Sequence, residues 1–88
     1  MNRSEFEQNY IVPPGCTIQE CIDDSDITRN ELAGLMGETL TDINKLMKGD
    51  IALTNNMAIK LEDIFGISYA FWNQLQKDYE KERTERSN

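Results

Sequence analysis

Ile27-Thr28-Arg29-Asn30-Glu31-Leu32-Ala33-Gly34-Leu35-Met36-Gly37-Glu38-Thr39-Leu40-Thr41-Asp42-Ile43-Asn44-Lys45-Leu46-Met47-Lys48-Gly49 is the stretch on which the fold turns. Thr28 with Glu31 three residues on is the capping-box signature of a helix start, and Leu32, Ala33, Leu35 and Met36 supply the apolar positions behind it. Gly37 ends that helix in a tight turn. Thr39 then caps a second helix of about two and a half turns, anchored by Ile43, Leu46 and Met47 and closed by Gly49. Ala33 provides a small residue where two helices cross, Gly37 a residue able to take φ > 0, and Ile43 and Leu46 two anchors for the second helix. This is the pattern of a helix-turn-helix, and equally that of an αα-hairpin in a small bundle.

The second helix separates its residue types by face. At about 100° per residue, Thr41, Asn44, Lys45 and Lys48 fall within about 100° of one another, and Ile43, Leu46 and Met47 fall opposite. Thr, Asn and Lys are types that can read base edges in a major groove, Asn favouring adenine and Lys guanine. An ordinary solvated helix face carries the same types. Arg29, just inside the start of the first of the two helices, suits a phosphate oxygen, as does a helix N-terminus with free N–H groups; the alternative is a plain surface charge. The candidate contact set is Arg29, Thr39, Thr41, Asn44, Lys45 and Lys48, flanked by the carboxylates of Glu38 and Asp42.

Upstream, Pro13-Pro14-Gly15 punctuates the chain, and Thr17 as N-cap with Glu20 as its capping-box partner predicts a helix carrying Ile18, Cys21 and Ile22. The acidic run Asp23-Asp24-Ser25-Asp26 opposes the negative end of that helix and favours stopping there. Downstream, Thr54 or Asn55 opens a fourth helix with Ala58, Ile59, Leu61, Ile64 and Phe65, closed by Gly66. Ser68 caps a fifth, with Tyr69, Phe71, Trp72, Leu75 and Tyr79 on its apolar side. No segment of this core alternates with period two, so the expected class is all-α with five helices. The expected organisation is a flexible acidic arm over 1–12, the helix-turn-helix domain over 13–80 and a charged, frayed tail over 81–88.

The chain has 88 residues, 39% hydrophobic and 28% charged, which is the composition of one ordinary globular domain rather than a low-complexity chain or two-domain enzyme. It has no histidine and two cysteines, so a zinc site of four Cys/His side chains and His-dependent acid/base chemistry are both excluded. No cofactor, metal, small-molecule substrate or catalytic role is expected. Cys16 and Cys21 diverge by about 140° around a helix and read as free thiols filling small spaces. There is no run of about 20 apolar residues and no signal-peptide start, which points to the cytoplasm and away from a membrane.

A net charge of −7 argues, as a total, against nucleic acid. Divided along the chain it says something else. Residues 1–27 carry −5, residues 28–60 carry 0 and residues 61–88 carry −2, so the acidity lies mainly outside the helix-turn-helix.

Taken together, Pro14-Gly15, Ile27 through Ala33, Gly37, Lys48-Gly49 and Leu53-Thr54-Asn55-Asn56-Met57-Ala58-Ile59-Lys60-Leu61 resemble the HigA-type antitoxins of the Xre/Cro-like helix-turn-helix superfamily. Phe71-Trp72-Asn73-Gln74-Leu75-Gln76 followed by Tyr79 is similar to that group's own ending and is not general to Cro-like domains. The resemblance covers roughly residues 13–80. It departs from the group's usual pattern at Pro13, where His is frequent, at Asp42, where Ser or Thr is typical, and in overall acidity.

The resemblance implies a five-helix lambda-repressor-like (Cro-like) domain that dimerises, binds operator DNA in its own promoter and neutralises a co-encoded, mRNA-cleaving toxin of the HigB type. It also implies that Arg29 contacts phosphate and that Thr41, Asn44, Lys45 and Lys48 lie on or beside the recognition helix. The aromatic stripe Tyr69, Trp72, Leu75 and Tyr79 reads as core, with a share available to a two-fold dimer interface. Two alternatives stand beside the antitoxin reading: a protein-interaction module whose acidic surface binds a basic partner, and a phage-type repressor without a toxin.

Overall fold

The computed structural model describes residues 12–87, which form five helices and, among those residues, no strand. They are α1 Pro14–Ser25, α2 Arg29–Met36, α3 Leu40–Lys48, α4 Asn55–Phe65 and α5 Tyr69–Ser87. This is the all-α, five-helix architecture expected from the sequence. The acidic arm lies outside the described residues apart from Val12.

Local chemistry sets most helix boundaries. Thr28 and Glu31 form the reciprocal capping box, the Thr28 hydroxyl accepting from Glu31 N (3.0 Å) and the Glu31 carboxylate accepting from Thr28 N (2.9 Å). Thr39 and Thr54 cap α3 and α4 by accepting from Asp42 N (3.1 Å) and Met57 N (3.2 Å). The helix-turn-helix turn closes at Gly37, whose φ of +70° is a left-handed conformation that costs a residue with a Cβ but not glycine. There Gly37 N donates to Gly34 O and Glu38 N to Ala33 O (2.9 Å), the paired bonds that satisfy the last carbonyls of α2.

One boundary differs from the sequence reading. Thr17 does not cap α1: the helix starts three residues earlier at Pro14, with Pro13 in extended geometry before it and no side-chain cap. Proline at the first helical position has its φ already fixed near the helical value and lacks the N–H that a cap would satisfy. Thr17 therefore lies within the first turn of α1. At the other end of the chain, α5 runs on through the charged segment to Ser87, and Thr84 Oγ1 donates to Glu80 O (2.9 Å).

The core is one cluster to which every helix contributes: Ile18 and Ile22 from α1, Leu32, Ala33 and Met36 from α2, Ile43, Leu46 and Met47 from α3, Met57, Ala58 and Leu61 from α4, and Trp72 from α5. Burying each large member contributes roughly 1.5–3 kcal/mol relative to exposure. Helix α3 packs against both α1 and α2, and α4 packs against α2 and α5. Gly15 is what lets α1 approach α3 so closely. A Cβ placed there would lie 2.5 Å from Met47 O and 2.7 Å from Met47 C, well inside ordinary contact.

Both cysteines are free and half-buried. Burial pushes the Cys21 thiol above its ordinary 9.0, and the neighbouring charges of Asp24 and Glu20 push it the same way.

Candidate nucleic-acid interface

Capping of α2 at Thr28 places Arg29 at the first helical position, on the same side of the molecule as the polar face of α3. The guanidinium of Arg29 spans two helices. Its Nε donates to Gln19 Oε1 of α1 and its Nη1 donates to Asn44 Oδ1 of α3, both at 2.9 Å. Gln19 in turn donates through Nε2 to Asp23 Oδ1 (2.9 Å), one turn further along α1. The start of α2 is thus hydrogen-bonded to the middle of α3.

On α3 the separation of faces holds. Ile43, Leu46 and Met47 are buried, Thr41, Lys45 and Lys48 are exposed, and Asn44 is half-buried at the border. Thr39 is exposed as well; its oxygen accepts from Asp42 N, which leaves its O–H free to donate outward. Asp42 sits in the first turn of α3, and Lys45 and Lys48 in the last. A carboxylate is stabilised at the positive end of a helix and ammonium groups at the negative end, which gives Asp42 a structural reason to stand where it does.

Lys60 belongs to none of this. Although it adds to the positive charge of residues 28–60, its Nζ is turned inward and donates to Met36 O (2.7 Å) at the end of α2. It fixes α4 to the helix-turn-helix turn.

The aromatic stripe of α5 is divided by depth. Trp72 is fully buried, its Nε1 donating to Ile67 O (3.2 Å), and Leu75 packs against the core. Tyr79 is half-buried against the turn at Gly49, with the Arg83 guanidinium 5.1 Å over its ring. Tyr69, at the first turn of α5, is 47% exposed, and Phe71, edge-on to Trp72 at 5.7 Å, is 45% exposed.

Three residues escaped the sequence reading. Gln19 and Lys60 make contacts between helices and carry no local signal. Gln76, 7% exposed, accepts from Leu53 N through Oε1 (2.9 Å) and so satisfies the backbone entering α4. Its place four residues after Trp72, on the same helix face, is the signal that pointed inward. Among the described residues no three His, Cys, Asp or Glu side chains gather as a metal site, and no helix is long and apolar enough to cross a membrane.

A capped α2, a left-handed glycine turn and a short α3 with a polar and basic outer face define a helix-turn-helix domain. No protein-family model matches the chain. It is 34% identical over 74 residues to YddM, an uncharacterised HTH-type transcriptional regulator of Escherichia coli (strain K12), a match covering 84% of this chain and 79% of the relative. Among solved structures it superposes on the Pseudomonas aeruginosa antitoxin HigA with higBA promoter, with a TM-score of 0.82, 25% identity, and coverage of 90% of this chain and 87% of that one. An addiction module antidote protein of the HigA family from Coxiella burnetii shares the fold, with a TM-score of 0.79 at 22% identity over 88% of this chain and 85% of that one. The chain belongs to the HTH-type transcriptional regulators.

Proposed function

We propose that this protein is a sequence-specific DNA-binding regulator that acts in the cytoplasm as a homodimer, represses its own operon and serves as the antitoxin of a toxin pair. It is a regulator rather than an enzyme. The observation that carries the reading is the joined face of α2 and α3, on which Arg29, Thr39, Thr41, Asn44, Lys45 and Lys48 lie together with the apolar side turned to the core. On a duplex, α3 enters the major groove, Arg29 and the Thr39 hydroxyl meet phosphate oxygens, and Thr41, Lys45 and Lys48 reach base edges or backbone. The solved HigA with its promoter supports this, as does the kinship to a transcriptional regulator.

A gel-retardation series with the DNA upstream of its own gene, run at rising salt, tests the proposal. Retardation at low salt that Lys45→Ala weakens is the expected result. No retardation, with wild type and Lys45→Ala behaving alike, would sink the DNA claim.

The toxin partner is a second element of the same reading. Glu20, Asp23, Asp24 and Asp26 are all exposed toward the end of α1, and RNA-cutting toxins are basic, so complementary charge favours their association. Co-purification of the adjacent gene product with this protein, lost at high salt, is the expected outcome.

A further inference from the structure

Asn44 lies within the stripe of residue types that read bases, and its ordinary role there is bidentate recognition of adenine, which uses the side-chain carbonyl as acceptor and the amide as donor. In this chain the carbonyl is already engaged, because Asn44 Oδ1 accepts from Arg29 Nη1 at 2.9 Å. The bond is charge-assisted and therefore among the stronger kinds of side-chain contact. Asn44 is also half-buried at the edge of α3, whereas Thr41, Lys45 and Lys48 stand out in solvent.

The second hold on Arg29 comes from a helix that carries none of the stripe. Gln19 Oε1 accepts from Arg29 Nε at 2.9 Å, and Gln19 is itself steadied by Asp23. Two acceptors on two helices thus fix the plane of the guanidinium. Of its five N–H donors, two are used, and the other three have no partner among the described residues. A guanidinium held in this way loses little further side-chain freedom when it meets a phosphate.

We propose that Asn44 and Gln19 are positioning residues for Arg29: they hold its guanidinium ready for a phosphate oxygen, and Asn44 acts through Arg29 rather than by reading a base. This rests on the DNA-binding reading above and changes what it demands of the recognition helix, since base discrimination then falls to Thr41, Lys45 and Lys48. It also accounts for a pairing of residues ten and fifteen positions apart in sequence that makes no contribution to the apolar core.

A double-mutant cycle tests it, with the duplex upstream of the protein's own gene as probe and single base-pair substitutions across the site. Asn44→Ala and Gln19→Ala each weaken binding by about 3- to 10-fold, the size expected when one long side chain must be immobilised on binding, and the loss is the same for every substituted duplex. In an Arg29→Ala background neither substitution has a further effect. Circular dichroism melts of each variant check that the fold is intact. An Asn44→Ala loss that persists in the Arg29→Ala background, or that vanishes when one particular base pair is changed, would overturn the proposal and make Asn44 a base reader. Wild-type protein retained by no duplex would overturn the DNA-binding reading itself, and this assignment with it.

Discussion

Replacing glycine by alanine inside a helix ordinarily stabilises a protein by roughly 0.5–1 kcal/mol, because alanine has fewer unfolded conformations to lose. The two helical glycines Gly15 and Gly34 should respond with opposite sign. At Gly15 the added Cβ meets the backbone of Met47, 2.5 Å from O and 2.7 Å from C, with Cα nearer still. Backbone atoms cannot turn aside as a flexible side chain can. Relief requires α1 and α3 to separate, and overpacking of this kind costs about 1–3 kcal/mol. At Gly34 nothing lies within 4 Å of the added carbon and the residue is exposed. For a domain of this size each kcal/mol moves the midpoint by about 4–8 °C. Thermal unfolding followed by circular dichroism should therefore show Gly15→Ala melting about 5–15 °C lower and Gly34→Ala about 2–8 °C higher than wild type. A Gly15→Ala protein that melts at or above the wild-type temperature would refute the close approach of α1 to Met47 on which the placement of α3 depends.

Other outcomes follow from single contacts. Lys60→Ala removes the ammonium bonded to Met36 O and, allowing for partial exposure, should cost about 1–2 kcal/mol in a denaturant titration; Lys60→Met, which keeps the stem, should lose nearly as much, and no loss in either would mean the contact does not form. Asp26 closes α1 with φ +59° and places a carboxylate at the helix's negative end, so Asp26→Gly should raise the melting midpoint, an effect of about 0.5–1 kcal/mol; a lowered midpoint would show that the Asp26 side chain makes a stabilising bond. The Cys21 thiol is raised above 9.0 by burial, so the folded state holds its proton more tightly than the unfolded chain. Its contribution to stability is present at neutral pH and lost as pH climbs through the raised value. In a Cys16→Ser background, iodoacetamide at about pH 8.5 should react more slowly with folded than with urea-unfolded protein, because the thiolate is the nucleophile; equal rates would count against it.

The elements read from sequence were those written in local code. Thr28 with Glu31, Thr39 before the anchors of α3 and glycines at Gly37, Gly49 and Gly66 each act within four residues, and each boundary they mark is where the structure has it. Thr17 misled because its capping-box spacing with Glu20 is a local signal too, and Pro14 at the first helical position outweighed it. What the sequence withheld depends on distance in space. Arg29 and Asn44 were both candidates, yet nothing in their spacing joins them to each other or to Gln19. Lys60 adds a positive charge to residues 28–60, yet nothing in the sequence shows that its Nζ is spent on Met36 O. On α5, the stripe from Tyr69 to Tyr79 had the right period for burial, but only Trp72 reaches full depth; Tyr69 and Phe71 at the first turn remain about half exposed.

The net charge of −7 is the sharpest challenge to a DNA-binding account, and its distribution along the chain is the answer: residues 1–27 carry −5 and residues 61–88 carry −2, which leaves residues 28–60, with Arg29, Lys45 and Lys48, at 0. The most direct test is a backbone-amide NMR titration of the whole protein with the duplex upstream of its own gene. The expected result is that the largest shifts fall at Arg29 and over Thr39 to Lys48, with smaller ones at Gln19, which is bonded to Arg29. Shifts confined to α1 and α5, or none at all with saturating duplex at low salt, would contradict it.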